Sequence, residues 1–100
     1  MKLNEVKYFT PDWEPSRIKR LVKRLIKGEL VRKNSGPNTF YYQIPDFKKA
    51  FDNLLEQFGK PMFDGHLYRR EQALPYHFWV VSGWKVKLSA EDMKVEVWRA

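Results

Sequence analysis

The chain has 100 residues, 43% of them hydrophobic and 31% charged, with no cysteine and a formal charge of +7 at neutral pH. That length suits one buried core rather than two, so residues 1–100 are expected to form a single domain. The composition argues against disorder, the absence of cysteine excludes disulfides, thiolate catalysis and cysteine-type zinc sites, and the longest apolar run, Phe78 to Val81, is far short of the ~20 residues that span a bilayer.

Residues 3–9 predict a first strand. Lys2, Glu5 and Lys7 break this segment up before the apolar core of a secretion signal could form, which points to an intracellular protein. Pro11 and Pro15 lie close together, and both fit if a helix begins at about Pro15, where a missing N–H is harmless. From there Ile18, Leu21, Val22, Leu25 and Ile26 recur with the period of one buried helical face. Gly28 offers a left-handed stop, which predicts a helix near 15–28.

Residues 30–33 read as a short strand, 34–38 as a turn, and 39–44, with Phe40, Tyr41 and Tyr42, as its hairpin partner. Asp46 is placed to cap a second helix near 46–58, whose apolar face is Phe47, Ala50, Phe51, Leu54, Leu55 and Phe58. Gly59 and Pro61 close it. Four further strands follow at about 66–71, 76–81, 84–88 and 93–98, separated at 73–75, 82–83 and 89–92. The alternation of Trp84, Lys85, Val86, Lys87 and Leu88 gives that part of the sheet one wet and one dry face.

The expected fold is therefore α+β: two amphipathic helices packed on a mainly antiparallel sheet. The order resembles a ferredoxin-like βαββαβ unit over residues 3–71, with a C-terminal hairpin or meander added. The expected core includes Ile18, Leu21, Val22, Leu25, Phe47, Phe51, Leu54, Leu55 and Val86.

The positive charge is concentrated. Residues 16–33 hold eight basic side chains (Arg17, Lys19, Arg20, Lys23, Arg24, Lys27, Arg32 and Lys33) and one acid, Glu29, while the rest of the chain is neutral overall. Arg17, Arg20, Arg24 and Lys27 fall on the helical stripe opposite the apolar one, bordered by Lys19 and Lys23. Like charges at i, i+3 and i+4 repel, so an ordinary solvated helix mixes signs, as the second helix does with Lys48, Lys49, Asp52 and Glu56. An unmixed stripe points to an anionic partner, nucleic acid first and an acidic protein second.

Residues 16–44 resemble the recognition helix and wing of winged-helix DNA-binding domains, a likeness that implies DNA contact through the basic helix. RNA-binding sheets offer a second comparison, because they stack bases on aromatic residues of central strands. Phe40 and Tyr42 alternate as such residues do, Tyr8 or Phe9 would join them from the first strand, and Trp79 belongs to a second aromatic cluster. The Lys/Arg-Gly-aromatic signature of such sheets is missing, so filling the core is the expected role of most of these rings.

Catalytic signals are sparse. His66 and His77 are the two histidines, without a zinc-binding helix motif, and Ser82 lacks the flanking glycines of a nucleophile elbow. His66, Tyr68, Arg69, Arg70 and Glu71 contain the residue types of a metal-independent nuclease, but nearness in sequence is not convergence in space. The chain is expected to be a non-enzymatic binder with no metal and no cofactor. In style, being short, basic, cysteine-free and rich in Lys, Tyr, Phe and Trp, it resembles the small orphan proteins of crenarchaeal viruses. With four Asn and three Gln beside many charges, it also suits a hot habitat.

Overall fold

The computed structural model describes residues 12–31 and 38–100. Within them lie α1 (Pro15–Ile26), β1 (Glu29–Val31), β2 (Thr39–Gln43), α2 (Phe47–Phe58), β3 (Phe63–Arg69), β4 (Gln72–Val81), β5 (Trp84–Ser89), a 3₁₀ turn (Glu91–Met93) and β6 (Lys94–Arg99). The strand expected at 3–9, with Tyr8 and Phe9, falls outside the described residues, as do Arg32 and Lys33. The fold is α+β. Its six strands form one sheet in the order β1-β2-β6-β5-β4-β3, with every neighbouring pair antiparallel.

That order corrects the ferredoxin-like expectation. Such a unit would set its first strand against β2, whereas β2 pairs with β6 along its whole length, from Thr39↔Trp98 to Gln43↔Lys94. The reason lies in the meander. Strands β3 to β6 each pair with the next, which carries the last strand back to the free edge of the β1–β2 hairpin.

The two tightest reversals use positive φ at both central residues, Arg70 and Glu71 in one and Ser82 and Gly83 in the other. This backbone matches the twist of a two-residue hairpin. β4 is longer than expected, because Pro75 lies inside it opposite His66 and is not a break. Pairing with β5 starts only at Tyr76, and the Pro75 carbonyl accepts the Ala90 N–H at 3.0 Å. The proline nitrogen therefore faces the side where the β5 ladder has already ended, and no ladder bond is lost.

α1 begins with Pro15 in its first turn and ends on Lys27, whose φ of 51° and ψ of 37° are left-handed. Gly28 is not the left-handed residue. Its role is close approach, since a Cβ there would lie 2.4 Å from the Gln43 carbonyl oxygen. α2 is capped as expected, with Asp46 Oδ1 accepting the Lys49 N–H at 3.1 Å. Its end is closed by the Gly59 N–H donating to the Leu55 carbonyl.

Both helices lie against one face of the sheet. Ile18, Val22 and Ile26 of α1 and Ala50 and Leu54 of α2 meet Phe40, Tyr42, Trp79, Trp84, Val86, Leu88, Val95 and Val97 in one buried cluster. Three polar anchors fix the layers: Tyr42 Oη donates to the Lys19 carbonyl (3.2 Å), Asn53 Nδ2 to the Leu25 carbonyl (2.7 Å) and Trp79 Nε1 to the Gly59 carbonyl (2.8 Å). Of the expected core, Ile18, Val22, Leu54 and Val86 are buried, and Leu25, Phe47 and Phe51 are half-buried against it. Leu55 is 37% exposed and belongs to the surface of α2. Among the described residues, no helix is long and apolar enough to cross a membrane.

Candidate nucleic-acid interface

The apolar stripe of α1 turns Ile18, Val22 and Ile26 into the core, and this alone dictates where its cations go. Arg17, Arg20, Lys23, Arg24 and Lys27 are exposed. Lys19 is half-buried at the border, with its Nζ 5.8 Å from the centre of the Phe40 ring. Arg17, Arg20 and Arg24, together with Trp13, Leu21 and Gln57 of α2, line an open groove of about 610 Å3. A stripe from position 17 to position 24 spans ~10 Å of helix axis, about the length over which one nucleic-acid strand presents three phosphates.

One of these arginines is held in place. The Arg17 guanidinium lies over the Trp13 ring, 4.4 Å from its centre. Trp13 in turn is tied to the sheet by its backbone: its N–H donates to the Ser82 carbonyl (3.2 Å), and its carbonyl accepts from Trp84 Nε1 (3.0 Å) and Arg99 Nη1 (3.5 Å).

The cations of α1 differ from those of the sheet. Among the described residues, none of its cations has a carboxylate within ion-pair distance, whereas Lys87 and Lys94 both reach Glu96, at 3.3 and 3.5 Å, and Arg99 reaches Asp12 at 3.7 Å. Guanidinium groups in a fixed fork without an internal partner are suited to bidentate contact with an oxyanion. The chain matches no known protein family, curated protein or solved structure with which it was compared.

The stacking candidates are corrected by the phase of the sheet. Phe40, Tyr42 and Trp79 are 8%, 0% and 2% exposed, all on the helix-covered face. Burial pushes the Tyr42 phenol well above its ordinary range. Their strand neighbours Tyr41 and Phe78, with Trp98 of β6, take the opposite face and are half-exposed. Trp13 and Gln57, absent from the sequence-based site, join it through the groove.

Neither histidine lines the arginine groove. His66 is exposed on the edge strand β3, while His77 is buried on β4 and stacked on Phe51 with ring centres 4.2 Å apart. Its Nδ1 is 2.6 Å from Asp64 Oδ1, an ion pair only when the ring is protonated. Desolvation lowers the His77 pKa below its ordinary value, outweighing Asp64, which pulls it up, and His66 opposes its protonation further. Ser82 occupies a tight turn, where its carbonyl is engaged by Trp13. Among the described residues, no group of three or more His, Asp or Glu gathers where it could hold a metal ion.

Proposed function

We propose that this chain is a non-enzymatic nucleic-acid-binding module that grips phosphates with the outward face of α1. Arg17, Arg20 and Arg24 form the centre of the grip, Lys23 and Lys27 extend it, and Lys19 flanks it. Arg32 and Lys33, which follow β1 in the sequence, are further candidates for phosphate contact. The observation that carries this reading is the groove itself: three arginines converge on one opening, one of them braced by Trp13, with no carboxylate among the described residues to neutralise them.

Phosphate contacts of this kind set position and affinity and do not read bases, so the module is expected to bind many sequences alike. The test is titration of a labelled duplex with wild type beside a variant carrying Arg20→Glu and Arg24→Glu. Binding that is strong in wild type and lost in the variant supports the proposal; equal binding by both contradicts it.

A further inference from the structure

The sheet has a second face that no helix among the described residues covers, and its chemistry differs from that of the core. Strand register puts Tyr41, Glu96, Lys87, Phe78 and Phe63 in one row across five strands, β2 to β3. The next row contains Trp98, Lys85 and Val80, and the row on the other side contains Lys94, Ser89 and Tyr76. Five aromatic rings thus alternate with three lysines, and Glu96 is the acid among the described side chains of these rows.

Every one of those lysines lies over a ring. Lys85 Nζ is 5.8 Å from the centre of Phe78, Lys87 Nζ 5.4 Å from Tyr76, and Lys94 Nζ 5.6 Å from Tyr41. Phe78 and Trp98 are themselves in contact, with ring centres 6.3 Å apart. Phe63 (49%) and Val80 (44%) remain open to solvent.

We propose that this helix-free face is a second binding site, for single-stranded nucleic acid, in which bases stack on Tyr41, Phe78 and Trp98. Lys85 leaves the ring it covers to take a phosphate, and Lys87 and Lys94 exchange their rings and their shared carboxylate, Glu96, for phosphates. Charge decides among the occupants. A second copy of the chain would set the same three lysines against each other, and a protein interface of the usual kind is depleted of lysine at its centre. A polyanion with aromatic bases satisfies both halves of the surface. A duplex does not, because its bases are already stacked on one another, whereas unpaired bases present free faces to a flat row of rings.

The site is independent of the groove on α1, so the test starts from the Arg20→Glu, Arg24→Glu protein, in which two charge reversals greatly weaken the pull of the helix on phosphate. In that background a labelled oligothymidylate of about 15 nucleotides is titrated, a length within the reach of one sheet surface. The strand is expected to bind and to quench tryptophan fluorescence. Trp98→Phe is expected to remove most of the quenching, and Tyr41→Ala or Phe78→Ala to lower affinity about tenfold each. Lys85→Gln with Lys87→Gln leaves the rings in place and is expected to flatten the salt dependence. Circular dichroism checks that each variant is folded. The proposal is overturned if the helix variant fails to bind the strand, if quenching persists without Trp98, or if the ring variants bind as well as their parent. Failure of the helix reading appears separately, as unchanged binding of duplex DNA by the Arg20→Glu, Arg24→Glu protein.

Discussion

The Arg17 guanidinium and the Trp13 ring are stacked 4.4 Å apart, and the backbone of Trp13 is bonded to both the β4–β5 turn and Trp84. The sheet thereby holds an arginine of α1 in a fixed orientation before any partner arrives. A cation over an exposed aromatic is worth ~0.5–1 kcal/mol, so Trp13→Ala should weaken duplex binding by roughly two- to fivefold. Trp13→Phe should lose less. Fluorescence anisotropy on the three proteins checks this, and equal affinities would mean that Arg17 is not braced in a way that matters.

The α1–β1 junction makes a prediction of opposite signs at neighbouring positions. Lys27 carries a Cβ in a left-handed conformation, so Lys27→Gly should raise stability by ~0.5–1 kcal/mol. Gly28→Ala drives a methyl into the Gln43 carbonyl. The loss expected from such overpacking is ~1–3 kcal/mol. Urea denaturation of both variants measures the pair.

Leu54 and Leu55 are adjacent on α2 yet differ in burial, 0% against 37% exposed. Leu54→Ala should cost ~2–5 kcal/mol by leaving a cavity. The same change at Leu55, a surface position, should cost under ~1 kcal/mol. Similar losses at both sites would show that α2 is rotated from the orientation described.

His77 gives the fold a pH dependence. Its folded-state pKa is depressed below the ordinary value of 6.5 by burial, so between the two values the unfolded chain binds the extra proton. Stability from this residue is complete above pH 6.5 and is lost as the pH falls through the folded value. His77→Phe keeps a ring against Phe51 and removes the titration. Thermal melts of wild type and variant should therefore converge in shape above pH 7 and diverge towards pH 5, with wild type losing more of its stability.

Much of this architecture is written plainly in the sequence. The 3.6-residue spacing of Ile18, Val22 and Ile26 and the Asp46 cap define both helices, and helix α1 assigns its own cations to the outside. The phase of the aromatic strands was harder, because Phe40, Tyr41 and Tyr42 put rings on both faces of β2. The signal that resolves β4 was present. The alternation of β5 places Val86 inward, the Ser82–Gly83 reversal pairs Val81 with Trp84, and Trp79 then falls opposite Val86 in the core. Pro75 and the Arg70–Glu71 turn misled for physical reasons. A proline nitrogen is harmless where a ladder has ended, and residues other than Gly or Asn took the two positive φ values. The pairing of β2 with β6 joins segments more than fifty residues apart, and local patterning carries no trace of such a contact.

The central claim is that α1 binds polyanions by displacing their counterions, and the salt dependence of duplex binding tests it most directly. A patch touching ~4–6 phosphates should give a slope of log K against log salt of about −4 to −5. In the Arg20→Glu, Arg24→Glu protein the slope should shrink and affinity should fall alike on all sequences, while the melting temperature holds or rises slightly because like charges on the helix have been relieved. Lys85→Glu with Lys87→Glu should leave duplex binding nearly unchanged. Absence of salt-dependent binding in wild type at low ionic strength, or an unchanged slope in the Arg20→Glu, Arg24→Glu protein, would contradict the account and leave α1 as a solvated face or a dock for an acidic protein.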